Sequence, residues 1–149
     1  MEERGESLEA VSEREAQGRL RWLTQEEQHR LLTACAKSRN RDLLGVVTVA
    51  LETGMRRGEI LGITWDRVDL SRGVLRLEIT KSRRRREVPM RQQVYDVLAA
   101  RPEPRIGRVW PDRQIRKAFE SAVAGAQLDD FRFHDLRHTF ASHFVMRGG

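Results

Sequence analysis

Three short stretches of this 149-residue chain carry side chains of the types that handle phosphate. The first is Thr53-Gly54-Met55-Arg56-Arg57-Gly58-Glu59. A glycine able to take the left-handed conformation closes one helix, and Arg56 opens the next, where a guanidinium can reach an anion near backbone amides. Glu59, three residues on, shares that face and can hold Arg56 in place. Alone, the pair also reads as an ordinary surface Arg–Glu couple. The second stretch is Thr80-Lys81-Ser82-Arg83-Arg84-Arg85-Arg86, cationic at Lys81, Arg83, Arg84, Arg85 and Arg86 and placed at a hairpin tip. Contact with a phosphate backbone and a merely solvated basic turn are both open for it. The third runs from Phe131 to Phe140 and contains His134, Asp135, Arg137 and His138. On a helix, Phe133, Leu136, Phe140 and Phe144 form a buried stripe. His134 and Arg137, at i and i+3, share a neighbouring face and set a titratable imidazole beside a permanent cation.

A zinc site is the remote alternative. His134 and His138 have the i, i+4 spacing of a zinc-hydrolase helix, with Asp135 where a glutamate would stand. A third ligand is needed, and His143 lies about 140° round the helix from His138, a poor direction. No metal site and no cofactor are expected.

These segments need a scaffold, and the composition says what kind. Lys and Arg number 28 against 22 acids, for a net charge of +6, and only Lys37, Lys81 and Lys117 are lysines. Arginine's planar fork matches phosphate oxygens two at a time and keeps its charge when buried. Residues 1–18 hold six acids against two arginines, a net −4, which leaves +10 on the remainder. Such a balance is the electrostatic footprint of nucleic-acid binding. One cysteine, Cys35, excludes an internal disulfide framework and any multi-cysteine zinc site. The apolar runs fall short of the roughly 20 residues that cross a bilayer. The expectation is a cytoplasmic, DNA-associated protein with no membrane segment.

The periodicity yields a mostly α fold with a small three-stranded antiparallel sheet. Residues 1–18 read as an acidic tail or linker. Thr24 and Glu27 form a capping box that opens a helix to about Ala36. A helix from about Arg41 to Thr53 is apolar on most of its circumference and therefore central. A short helix follows to Gly62. Strands are expected over Trp65–Leu70, Val74–Thr80 and Arg86–Pro89, then helices over Gln92–Ala100, Asp112–Ala124 and Phe133–Arg147.

Taken in order, TGMRRGEIL, the ITKSRRRREVPM hairpin and FHDLRHTFAS resemble the catalytic domain of the tyrosine recombinases, the phage integrase family. The resemblance runs from about Trp22 to the last residue, and it implies a fold and a function. Arg56 and Arg137 would grip the scissile phosphate, Lys81 would protonate the departing 5′-oxygen, and His134 would serve as acid–base. Glu59 would support Arg56, and His138 would stand one turn behind His134. Arg57 and Arg83 to Arg86 would contact DNA. The implied activity is site-specific recombination of double-stranded DNA through a 3′-phosphotyrosyl intermediate, in a parent protein that assembles as a tetramer on paired sites. In this family the nucleophilic tyrosine follows the H-x-x-R helix. Here the single tyrosine is Tyr95, inside an apolar helical pattern, where a core role is expected. Residues 19–149 are thus expected to be a truncated catalytic domain, inactive alone, or else a non-catalytic DNA-binding remnant of a prophage. Apolar surface around Phe140, Phe144 and Val145 is expected to be incompletely covered and to favour self-association.

Overall fold

The computed structural model describes residues 21–79, 84–112 and 114–147. Six helices surround or extend one core: α1 (Gln25–Ala36), α2 (Leu43–Thr53), α3 (Arg57–Leu61), α4 (Gln92–Ala99), α5 (Ile115–Gly125) and α6 (Asp135–Met146). Between α3 and α4 lies an antiparallel sheet of β1 (Val68–Asp69), β2 (Val74–Ile79) and β3 (Arg84–Pro89), in the order β1-β2-β3.

The centre is α2. Its Leu43 and every residue from Gly45 to Leu51 are buried, and it touches all five other helices. A helix so uniformly apolar has no face to offer water, which is why the others pack around it. At Gly45 a Cβ would stand 2.4 Å from the Trp110 ring. Trp110 is itself 1% exposed. Arg101 lies over that ring at 4.8 Å and pairs with Asp42 at 2.8 Å. The other Asp42 oxygen accepts the Asp112 amide at 2.9 Å. A buried carboxylate is tolerable when paired and hydrogen-bonded in this way, and it ties the start of α2 to the approach to α5.

α1 begins as its sequence dictates. The Glu27 amide donates to Thr24 Oγ1 at 3.1 Å and the Thr24 amide to Glu27 Oε1 at 3.0 Å. The Thr24 amide, assisted by Arg21, holds the Glu27 carboxyl below its ordinary value. Cys35 lies inward, where burial pushes its thiol up to about 12.

The sheet departs from expectation at its edges. Only Val68–Asp69 of the anticipated first strand pairs with β2, preceded by a 3-10 turn over Trp65–Arg67. The chain before it is engaged elsewhere: Ile63 O accepts the Val109 amide at 3.0 Å and the Trp65 amide donates to Gly107 O at 2.9 Å. β3 starts at Arg84 rather than Arg86, because the β2–β3 ladder runs from Val74↔Pro89 to Ile79↔Arg84. α5 starts three residues later than expected. Asp112 instead accepts the Gln114 amide at 2.8 Å, ahead of the helix. Gly125 belongs to the helix, and the turn falls at Gln127, with φ 58°. On α4 the buried residues are Val94 and Leu98. Tyr95 is 38% exposed, so its expected core role is corrected: it lies one helical step off the buried stripe.

The apolar stripe expected on α6 is also corrected. Leu136 is fully buried, but Phe133 and Phe140 are half-buried and Phe144 is exposed. The inward residues include Asp135, His138, Thr139 and His143. Two of these serve Leu23, which sits in the core with both main-chain groups needing partners. Its amide donates to Thr139 Oγ1 at 3.1 Å, and His143 Nε2 donates to its carbonyl at 2.8 Å. A buried backbone group left unpaired costs about as much as a lost hydrogen bond, so polar side chains win these positions over apolar ones.

We expect Gly45→Ala to lower stability by about 1–3 kcal/mol through overpacking against Trp110. Denaturant unfolding of the two proteins measures this, and an unchanged midpoint would show that the α2–Trp110 contact yields without cost.

Candidate active site

The segment carrying Arg56 is positioned by what precedes it. α2 closes at Gly54 with φ 73°, and the Gly54 amide donates to Ala50 O at 3.0 Å. A Cβ there would meet the Phe140 ring at 2.6 Å, so conformation and close approach both demand glycine. Thr53 Oγ1 donates to Val49 O at 2.7 Å and accepts the Met55 amide at 3.1 Å, and Met55 is buried. Arg56 then follows with extended backbone, its amide donating to Glu59 Oε1 at 2.8 Å. Glu59 therefore holds Arg56 through the main chain. Next, the Arg57 guanidinium lies 6.0 Å from the centre of the Phe133 ring.

These contacts set the α2–α3 connection against one face of α6. Arg137 and Phe140 stand at i and i+3 on α6, and Phe133 lies two residues ahead of the helix. Gly54 meets Phe140 and Arg57 meets Phe133, so the connection that carries Arg56 is held on both sides of it against the segment that carries Arg137. Arg56 is exposed and Arg137 half-buried. His134 sits at the start of α6, exposed, with its ring 5.1 Å from that of His138 and perpendicular to it.

Below His134 lies a buried polar group that spacing alone did not single out. Asp135, 2% exposed, accepts the Arg132 amide at 2.9 Å and, through its other oxygen, Nδ1–H of His138 at 3.1 Å. The Asp135–His138 interval of i, i+3 was the signal available for it. His138 Nε2 is buried and meets no hydrogen-bond partner among the described residues. With His138 committed to Asp135 and His143 to Leu23, no group of three or more His, Cys, Asp or Glu side chains suited to a metal ion occurs among the described residues.

Not every expected residue can be placed. Lys81 and Arg83 lie outside the described residues. Arg84, Arg85 and Arg86 lie on β3 opposite Ile79, Glu78 and Leu77, and Arg86 is exposed. Residues 1–18 also lie outside the described part. Sequence reasoning overlooked a cleft of about 500 Å³ lined by Arg57, Arg116, Arg132 and His134, with Phe119 and Phe133 among its walls. Arg116 belongs to none of the three stretches, and Arg132 lies in the third without an expected role; tertiary packing brings both to the cleft.

The family model for the phage integrase family matches residues 21–149. The chain belongs to the phage integrase family. Among its curated relatives, the integrase of Haemophilus phage HP1 is 37% identical over 139 residues, which is 91% of this chain and 39% of that protein. The chain spans well under half the length of this and similar curated relatives. The catalytic domain of bacteriophage HP1 integrase superposes with a TM-score of 0.72 at 38% identity, covering 87% of this chain and 74% of that one. The Tn1549 transposon integrase, solved in complex with a circular intermediate DNA, shares the fold with a TM-score of 0.69 at 17% identity, over 87% of this chain and 54% of that one. The helical fold with its three-stranded sheet is that of integrase catalytic domains. No helix among the described residues is long and apolar enough to cross a membrane.

In this integrase-family chain, Gly54→Ala is expected to cost about 1–3 kcal/mol, from the left-handed backbone and the clash with Phe140 together. Thermal unfolding checks it; a wild-type midpoint would mean that the loop before Arg56 can leave α6 freely.

Proposed function

We propose that this chain is the catalytic core of a site-specific DNA recombinase that cleaves and rejoins strands through a 3′-phosphotyrosyl intermediate. The observation that supports this reading best is the docking of the Arg56 connection onto the face of α6 that carries Arg137, beside His134. Two permanent guanidiniums on one phosphodiester stabilise the charge that grows on its non-bridging oxygens, without a metal. In the proposed step a tyrosine phenolate attacks phosphorus, the bond to the 5′-oxygen breaks, and Lys81 supplies the proton to that oxygen. His134 exchanges a proton with the nucleophile or phosphate, held from behind by the Asp135–His138 pair. Glu59 keeps Arg56 in place, and Arg57 with Arg83 to Arg86 adds contacts to the DNA backbone.

Tyr95, the single tyrosine of the sequence, lies on α4, which packs against α2, and its side chain is exposed. The family's nucleophilic tyrosine follows the helix bearing His134 and Arg137, a position Tyr95 does not match, so in this reading these residues grip the DNA and Tyr95 does not cut it. A non-catalytic DNA-binding remnant would grip DNA in the same way. The place of action is the cytoplasm, on double-stranded DNA, and the whole recombinase works as a tetramer on paired sites.

Titration of a labelled duplex at several salt concentrations tests the reading. Affinity should fall as salt rises, because each neutralised phosphate releases counterions. Arg56→Ala and Arg137→Ala should each weaken binding by about ten- to a hundredfold at unchanged melting temperature. Salt-insensitive binding, or losses that merely follow lost stability, would refute it.

Phe144, Val145 and Met146 are 38%, 66% and 67% exposed, a contiguous apolar end to α6. We propose that this end drives association between copies of the chain. Sedimentation velocity should show a concentration-dependent dimer or larger species that Phe144→Ser abolishes; a monomer throughout the range would dismiss the idea.

A further inference from the structure

The cleft beside His134 is not accounted for by a single gripped phosphate. It lies between α3, α5 and the segment leading into α6, holds about 500 Å³, and is lined by Arg57, Arg116, Arg132, His134 and Glu120. Three guanidiniums therefore face one carboxylate. That carboxylate, Glu120, is engaged with Arg116 at 3.3 Å, in a pair exposed enough to contribute little to stability. Arg57 and Arg132 form no ion pair with a carboxylate among the described residues. With no carboxylate partner there, such arginines gain charge-assisted hydrogen bonds from an external anion.

The walls sharpen this. Phe119 stacks edge-on with Phe133 at 5.1 Å and tilts against Phe131 at 6.2 Å, so one side of the cleft is aromatic and of low polarity. Charge-assisted hydrogen bonds strengthen next to such a surface. The main chain at Arg132 is fixed, its amide donating to Asp135 at 2.9 Å. Arg57 is steadied over Phe133. His134 lines this cleft and also stands beside Arg137 on α6, so cleft and phosphate site are continuous. The volume suits a phosphate group with its adjoining sugar.

We propose that this cleft seats a second phosphodiester of the same DNA strand, neighbouring the one held at Arg56 and Arg137, with Arg57, Arg116 and Arg132 as its donors. This rests on the recombinase reading above. Its effect is positional: two consecutive phosphates fix the strand's direction as well as its distance, so the reacting phosphorus cannot swivel away from His134.

The test is the salt dependence of duplex binding by the full chain, read by fluorescence anisotropy. Arg57→Ala and Arg132→Ala should each reduce the slope of log affinity against log salt by about one unit, equally for unrelated duplex sequences. Arg132→Lys should restore most of the slope. Arg39→Ala, an exposed arginine lining the separate groove between α1 and α5, should leave it unchanged. If Arg56→Ala lowers the slope but Arg57→Ala and Arg132→Ala do not, the cleft takes no phosphate and the recombinase reading stands. An equal fall in Arg39→Ala would make the effect one of net charge and overturn the proposal. If the wild-type chain shows no salt slope, the DNA reading itself fails, and this inference fails with it.

Discussion

A single hydrogen atom at Gly54 is what the close approach between α2 and α6 allows. The Phe140 ring occupies the space where any Cβ would stand, and the backbone there is left-handed. Because α2 is buried along most of its length, its C-terminus cannot shift to relieve a clash without disturbing the helices it touches. The position of Arg56, two residues later, is thus inherited from the core. A flexible surface loop could not fix where a guanidinium stands, and the phosphate site proposed above needs that rigidity.

The same logic governs α6. Its inward side is more polar than its pattern of phenylalanines suggests, because it works as a bracket for main chain. Thr139 and His143 satisfy Leu23, and Asp135 satisfies the Arg132 amide while orienting His138. Each bond is modest by itself, about 0.5–1.5 kcal/mol net for a neutral pair, but leaving the buried group unmet costs more. The consequence for the site is that His134 and Arg137 stand on a helix pinned at both its start and its middle, while the phenylalanine face is left to meet the α2–α3 connection.

Much of this was legible in the residues. The capping box at Thr24 and Glu27, the all-apolar α2, its glycine stop, and the β2–β3 pairing all follow from local chemistry or simple period. The three candidate segments were picked out by residue type and spacing, and the structure brings those carrying Arg56 and Arg137 together where Gly54 meets Phe140. What failed did so for non-local reasons. Trp65–Arg67 has strand-like residues, yet its neighbours bond to Gly107 and Val109. Tyr95 fits an apolar helix pattern but falls one step off the stripe. Phe144 matches the α6 stripe at i+4 from Phe140, yet is exposed because the inward positions were taken by residues that answer Leu23's backbone.

The sequence by itself determined which residues can handle a phosphate, that the chain is helical around one apolar helix, and that its charge suits a polyanion. Those properties belong to side-chain types and short-range periods, which no distant contact can alter. The tertiary structure decided which of the many arginines converge. Arg57, Arg116 and Arg132 meet at one cleft only because α5 and the approach to α6 pack beside α3, and no interval along the chain encodes that meeting. Burial of polar groups was decided there too, since whether Asp135 or His143 faces inward depends on backbone more than a hundred residues away in the case of Leu23 and His143.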